Sequence, residues 1–164
     1  MLPTGVTERL ITLRISIGKT RYATIISAYA PTMTNPDQTK EQFYELLGQT
    51  LQKIPHRDKV IILGDFNARV GDDFTSWPIA LGKFGRDKSN SNGEQLFSIC
   101  TQFNLAITNT FFKMPDHWYY SWQHPRSKRC HLLDYVITRR VDLADIRSTR
   151  AMRGADCSSD HYLI

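Results

Sequence analysis

Apolar and polar positions alternate from Leu10 to Ile17, with Ile11, Leu13, Ile15 and Ile17 on one side and Thr12, Arg14 and Ser16 on the other. That period of two is the pattern of a strand with one buried face. Gly18-Lys19 turns the chain, and Arg21 to Tyr29 returns as a second strand, which predicts a hairpin. Ala30-Pro31 ends it, because proline cannot donate to a central ladder. From Asp37 the period changes: Phe43, Leu46, Leu47, Leu51 and Ile54 recur at helical spacing, while Lys40, Glu41, Glu45 and Lys53 fall elsewhere. Val60-Ile61-Ile62-Leu63 is a short apolar run between Lys59 and Gly64, as expected of a strand covered on both faces. The stretch from Ala68 to Ser91 is rich in Gly, Asp, Ser and Asn and reads as a long irregular loop, a class that is usually functional or disordered. Asn90 to Asn92 can cap a helix reaching Phe103 with Leu96, Phe97, Cys100 and Phe103 inward. Strand-like segments follow at Leu105 to Thr108, Trp118 to Trp122, Leu132 to Thr138 and Ile146 to Ala151, and another strand is starting at the final residues. Helices sitting between strands predict a layered α/β sandwich.

Composition adds little against this frame. The 164 residues are 41% hydrophobic and 23% charged, with no low-complexity tract, which fits one globular domain over residues 1–164. Lys and Arg outnumber Asp and Glu by 21 to 16, a modest excess that suits a polyanionic partner and equally suits a solvated basic face. Cys100, Cys130 and Cys157 are odd in number and widely spaced, and no C-x-x-C pair exists. They read as free thiols of a reducing compartment rather than a disulfide framework or zinc ligands. No secretory leader and no apolar run of spanning length is present, so the expected location is intracellular, with the nucleus a candidate, and no membrane partner is expected.

Four places carry candidate chemistry. Gly64-Asp65-Phe66-Asn67 closes the buried apolar run, where a strand end holds side chains rigidly at a cleft. Asp65 there can take a proton from water, and Asn67, two residues on, can donate to a phosphate oxygen. Alone, the pair suits equally a strand-end turn in which both side chains satisfy their own backbone. Asp160-His161 places a hard oxygen donor beside an imidazole, although a single dipeptide is weak evidence. Asp134 interrupts the apolar run Leu132 to Ile137, where a carboxylate requires a partner; a cationic histidine, Arg139 or Arg140 would serve. Tyr29, at a strand end, offers a phenol that can bond a ligand or simply pack. Taken together, the four supply the parts of metal-assisted phosphodiester hydrolysis.

At these residues the chain resembles the endonuclease/exonuclease/phosphatase superfamily. Within it, the chain is similar to craniofacial development protein 2-like sequences and to endonuclease domains of RTE/BovB-type LINE retrotransposons. The resemblance rests on TIISAYAPT (Thr24 to Thr32), LGDFNARVG (Leu63 to Gly71), SNGEQL (Ser91 to Leu96), ITNTFF (Ile107 to Phe112), HPRSKRCHLLDYVITRR (His124 to Arg140) and TRAMRGADCSSDH (Thr149 to His161). It implies a four-layer α/β sandwich whose strand ends gather around Mg²⁺, with Mn²⁺ as an alternative. It implies that Asp65 activates water, that Asn67 holds the phosphate and that Tyr29 contacts the phosphate or leaving group. Asp160 would bind the metal, and His161, oriented by Asp134, would stabilise the transition state; Asn92 would contact a phosphate.

Two motifs of that family, an early strand bearing an Asn and a following Glu that is its principal metal ligand, are not found; Glu8 lies outside such a motif. Since sandwiches of this kind run to roughly 200–250 residues, the expected architecture is a partial sandwich, lacking N-terminal strands and the final strand, with impaired metal binding and an exposed apolar face. DNA is the expected partner. Trp118 to Trp122 followed by His124, Arg126, Lys128 and Arg129 interleaves aromatics with cations, so Trp122, Arg126 and Lys128 are candidate DNA contacts. The same pattern also suits an amphipathic hairpin packing its tryptophans inward. A DNA endonuclease is the leading reading. The alternatives are an inactive nucleic-acid- or protein-binding derivative and a phosphatase of phosphorylated small molecules. The oligomeric state is not legible.

Overall fold

The computed structural model describes residues 2–155 and 159–164, so Cys157 lies outside the described residues. Its framework is a six-stranded mixed sheet. The strands are β1 (Thr4–Thr7), β2 (Leu10–Ser16), β3 (Tyr22–Tyr29), β4 (Lys59–Asp65), β5 (Leu105–Ile107) and β8 (Asp134–Arg139), in the spatial order β1-β2-β3-β4-β8-β5. A separate two-stranded ribbon pairs β6 (Trp122–Gln123) with β7 (Cys130–His131). β3 and β4 are parallel and are joined by helix α1 (Asp37–Gln52); the other neighbours in the large sheet are antiparallel. A second helix, α2 (Ser91–Gln102), precedes β5.

The two faces of the sheet differ, and β2 presents to the helices the side opposite to the one its alternation predicts: Leu10 is buried and Arg14 pairs with buried Asp58, while Ile11 and Ile17 are exposed. Leu10, Ile26, Val60, Ile62, Tyr135 and Ile137 are buried in one core with Phe43, Leu47 and Leu51 of α1 and Leu96, Phe97 and Ile99 of α2. On the opposite face Leu13, Ile25 and Ile61 are only partly covered, and Ile11 is 48% exposed. The Val60–Leu63 run, expected to be covered on both faces, is instead covered by helices on one side and left half-open on the other. An α/β architecture with an open apolar face agrees with the expectation from the sequence.

The loop after β4 is irregular, as expected, and it is packed. Ala68, Val70, Ala80 and Leu81 are buried, and Trp77 stacks on Phe97 with ring centroids 4.7 Å apart. Two expected strands are corrected. Asp116–Trp118 is a short 3-10 turn after Pro115, and only Trp122–Gln123 of that region is extended and paired. The Tyr119 hydroxyl donates to Phe112 O and accepts from Met114 N, closing the segment on itself rather than releasing it to a ladder. Ile146 to Ala151 also joins no sheet: Arg140–Asp145 winds into a 3-10 helix before it, and Ala151 N binds Trp118 O. β8 begins at Asp134 rather than Leu132, because the amides of Leu133 and Asp134 go to the Ser121 hydroxyl. β1 was not anticipated, and it pairs with β2 through an irregular register.

Candidate active site

Three strand ends meet at one edge of the sheet. Tyr29 stands opposite Asp65 across the β3/β4 pair, and Asp65 stands opposite Asp134 across the β4/β8 pair. The three lie in one row, and residues directly opposite in a ladder share a face. That face is the one away from the helices, so the row looks into the open side of the sheet.

Gly64 makes this row possible. Its φ is +142°, and a Cβ built there would lie 1.9 Å from Ala28 O. Only a residue without a side chain lets β4 approach β3 this closely one position before the aspartate. Asn67 then takes a left-handed conformation, φ +46°, which Asn tolerates better than most residues. Asp65 Oδ1 accepts the Asn67 amide at 2.8 Å, and Asn67 Nδ2 donates to Ala30 O at 2.9 Å. The strand-end turn and the site are thus one structure: the side chains satisfy the local backbone and are also aimed. The Asn67 amide nitrogen carries a second hydrogen beyond the one given to Ala30.

His161 reaches the row from the C-terminal segment. Its Nδ1 is 2.9 Å from Asp134 Oδ2, and its Nε2 is 4.0 Å from Asp65 Oδ2. Asp134 therefore takes the histidine partner open to it in the sequence; Arg139 instead donates to His56 O. A carboxylate accepting from Nδ1 selects the tautomer with Nε2 as the acceptor. Burial pushes the Asp65 carboxyl up to about 6; the charge of Asp134 adds to this, and the Asn67 amide and His161 oppose it. A group tuned to titrate near neutrality beside a histidine is the arrangement expected of a general base.

Asp160 is exposed, and its Oδ2 accepts the Trp122 indole N–H at 2.8 Å, which holds its carboxyl below the ordinary range. It is an ionised hard-oxygen donor at the mouth of the site. Among the described residues no three His, Cys, Asp or Glu side chains are arranged to hold a metal ion. Mg²⁺ commonly keeps several waters and binds through one or two carboxylates plus substrate phosphates, and Asp160 fits that open mode. Cys100 and Cys130 are free thiols.

Trp122 has less freedom than a stacking platform would need. Its ring stacks on His131 at 5.8 Å and meets His124 edge-on at 5.5 Å. Arg126 and Lys128 are exposed at the tip of the β6–β7 ribbon. The ribbon overhangs a groove of about 320 Å³ lined by Asn67, Arg69, Met33, Trp122, His131 and Leu133. Three arginines further along the chain lie over aromatic rings: Arg140 over Phe111, Arg150 over Trp118 and Arg153 over Tyr162.

Asn92 corrects an expectation. It is 1% exposed, and its Nδ2 donates to Pro31 O and Asn67 O, both at 3.0 Å. It ties the first turn of α2 to the Asp65–Asn67 turn and offers nothing to a phosphate at the surface. Asn90 supplies the helix cap: its Oδ1 accepts Gly93 N and Arg69 N, each at 2.9 Å. Asn90→Ala is expected to lower unfolding free energy by about 1–2 kcal/mol in a urea titration, with Asn90→Asp recovering most of it. Equal midpoints for wild type and Asn90→Ala would show that these bonds contribute nothing net. The sequence does not single out Ser121 or Asn109; the one signal of Ser121 is a small polar residue inside an aromatic run.

Residues 23–164 match the family described as "Endonuclease-reverse transcriptase". The chain belongs to that family. It is 36% identical over 157 residues to craniofacial development protein 2 of Bos taurus and 35% identical over 157 residues to that of Tragulus javanicus, covering 96% of this chain in each case. It spans only 26% and 27% of those relatives, about a quarter of their length. Two solved structures share the fold. A 3′ phosphatase from Neisseria bound to a product DNA hairpin matches at TM-score 0.66 and 17% identity, covering 96% of this chain and 63% of that one. The endonuclease domain of TRAS1, a telomere-specific non-LTR retrotransposon, matches at TM-score 0.66 and 19% identity, covering 95% and 61%. The family reading of GDFN, LLDY and SDH therefore stands, and these three motifs converge at the one strand-end site.

Proposed function

We propose that this site hydrolyses phosphodiester bonds of DNA, with water as the nucleophile and Mg²⁺ as the cofactor. The observation that carries the reading is the Asp65–His161–Asp134 arrangement at the strand ends, in a chain of an endonuclease–reverse transcriptase family.

Ionised Asp65 holds a water and accepts its proton as the water attacks phosphorus. Asn67 steadies a phosphate oxygen through its remaining N–H. His161, oriented by Asp134, turns Nε2 toward the reacting phosphate, where a proton on Nε2 donates to the growing negative charge. The Tyr29 hydroxyl, at the exposed end of the row, faces the phosphate or the leaving oxygen. Asp160 would hold Mg²⁺, which when bound neutralises phosphate charge and acts as a Lewis acid. Arg126 and Lys128 at the ribbon tip would bind the flanking phosphates, and Trp122 would border the nucleotide beside them.

The decisive assay is nicking of supercoiled plasmid by the 164-residue chain with Mg²⁺, with Mn²⁺ and with chelator. Expected are metal-dependent nicks and at least a 100-fold loss in His161→Ala, in line with removal of a transition-state charge stabiliser. Nicking that His161→Ala leaves intact would overturn the assignment. A second reading follows from the fold shared with a DNA 3′ phosphatase. Release of phosphate from a 3′-phosphorylated DNA hairpin, with plasmid uncut, would favour it. Release from inositol polyphosphates alone would indicate a small-molecule phosphatase, and DNA binding without hydrolysis would indicate an inactive derivative.

A further inference from the structure

We propose that Ser121 is a positioning residue that sets the Asp134–His161 pair by holding the backbone beneath both members. The inference rests on the catalytic reading of that pair only for its kinetic consequence.

The need for such a residue comes from the sheet. β5 pairs with β8 only as far as Ile107 opposite Ile137. Among the described residues, no strand continues along that edge past Leu133, Asp134 and Val136. Their backbone groups still require partners, because an unpaired buried amide is costly. Two side chains stand in for the absent strand. Asn109 Oδ1 accepts Val136 N at 2.9 Å, and its Nδ2 donates to Asp134 O at 3.3 Å. Ser121 Oγ accepts both Leu133 N at 3.1 Å and Asp134 N at 2.9 Å.

Ser121 differs from Asn109 in what else it holds. It is fully buried, its own amide donates to His131 O at 3.0 Å, and its carbonyl accepts Tyr162 N at 2.7 Å. The next two residues continue the same line. Trp122 bridges His161, and Gln123 N donates to Asp160 O at 3.1 Å. Residues 121–123 are thus a rail on which the segment carrying Asp160 and His161 lies. One buried residue grips the start of β8 with its hydroxyl and the histidine-bearing segment with its carbonyl. The 2.9 Å bond between His161 and Asp134 joins two segments that Ser121 already holds.

Ser121→Thr and Ser121→Val test this, since the two are nearly equal in volume and differ in the hydroxyl alone. The direct readout is the His161 imidazole tautomer in a long-range ¹H–¹⁵N spectrum above pH 8, assigned by its loss in His161→Gln. Wild type and Ser121→Thr are expected to show the Nδ1–H tautomer. Ser121→Val, and Ser121→Ala without added bulk, are expected to lose it to a mixture. The same tautomer in the Val or Ala variant overturns the proposal whatever the activity. In nicking assays Ser121→Val should lose on the order of 100-fold in kcat, as a displacement of about 1 Å costs, with KM little changed and Ser121→Thr largely rescued. Leu51→Ala, a core variant remote from the site, should lose melting temperature without that kcat loss. An equal kcat loss in Leu51→Ala and Ser121→Val would mean general destabilisation and would overturn the proposal. If wild type cuts no DNA but the tautomer follows the hydroxyl, positioning by Ser121 holds and the phosphodiesterase reading fails.

Discussion

Asp65→Asn is expected to cut hydrolysis by orders of magnitude and at the same time to make the protein more stable at neutral pH. Both effects come from the same burial. In the folded chain the Asp65 carboxyl is raised from 3.8 to about 6, chiefly by burial. A raised carboxyl contributes stability that is fully present below its unfolded value and lost as pH climbs through the folded one. The window is therefore pH 3.8 to about 6, and above it the ionised wild type carries the whole cost. At 1.36 kcal/mol per pKa unit, this cost is about 2–3 kcal/mol. Asparagine keeps an oxygen for the Asn67 amide and carries no charge, so it escapes the cost. Thermal melts in metal-free buffer should show wild type and Asp65→Asn nearly equal at pH 4, with the variant ahead by the full amount above pH 7. A gap that stays constant with pH, or a less stable variant at pH 8, would mean that Asp65 is not strained by its site. Activity is expected to run the other way: turnover by wild type should fall as pH drops and Asp65 takes up a proton, since only the ionised carboxylate accepts one. The variant, lacking the base, falls by roughly 10³-fold or more at every pH. The site is built at a cost in stability, the usual condition of a functional carboxylate.

Gly64→Ala is the substitution expected to do most damage to the fold. The added methyl would lie 1.9 Å from Ala28 O, and the backbone there, at φ +142°, suits no L side chain. Neither atom can yield alone, since Ala28 is paired in the ladder on both sides, to Leu10 and to Gly64 itself. β4 must part from β3, which costs strand pairing along the centre of the sheet. A loss of about 3–5 kcal/mol follows from overpacking together with a disallowed backbone. It is to be read as a fall in the urea midpoint with little change in slope. Where the variant still folds, Asp65 shifts away from Tyr29 and nicking falls with it. An unchanged midpoint would show that the close approach of the two strands is not required.

The elements with strong periodicity were legible in the sequence. The existence of the β2–β3 hairpin, α1 and β4 follows from spacing alone; which face of β2 meets the helices, and that β4 is covered on one face only, does not. Elements whose conformation is set by single side chains were not. Trp118 to Trp122 has strand composition, yet the Tyr119 hydroxyl and Pro115 close it into a turn. Ile146 to Ala151 reads as strand-like and joins no sheet. The active-site candidates were legible as residue types, since Asp65, Asp134 and His161 sit in short motifs in a fixed order. Asn92 sat in such a motif too, and its contacts turned out to be internal.

What the sequence by itself determined is the α/β class, the helix–strand alternation from β3 to β4, and a set of Tyr, Asp, Asn and His residues suited to phosphate chemistry. Periodicity and local motifs act over a few residues, so a single chain reading can reach them. Only the tertiary structure decided that Asp134 pairs with His161 rather than an arginine, and that Trp122 holds Asp160. It also decided that Asn92 is buried and that Ser121 supports the pair. These outcomes depend on which distant backbone groups are left without a ladder partner and which side chain is near enough to satisfy them. That is a property of packing between segments far apart in the chain, and no local pattern encodes it.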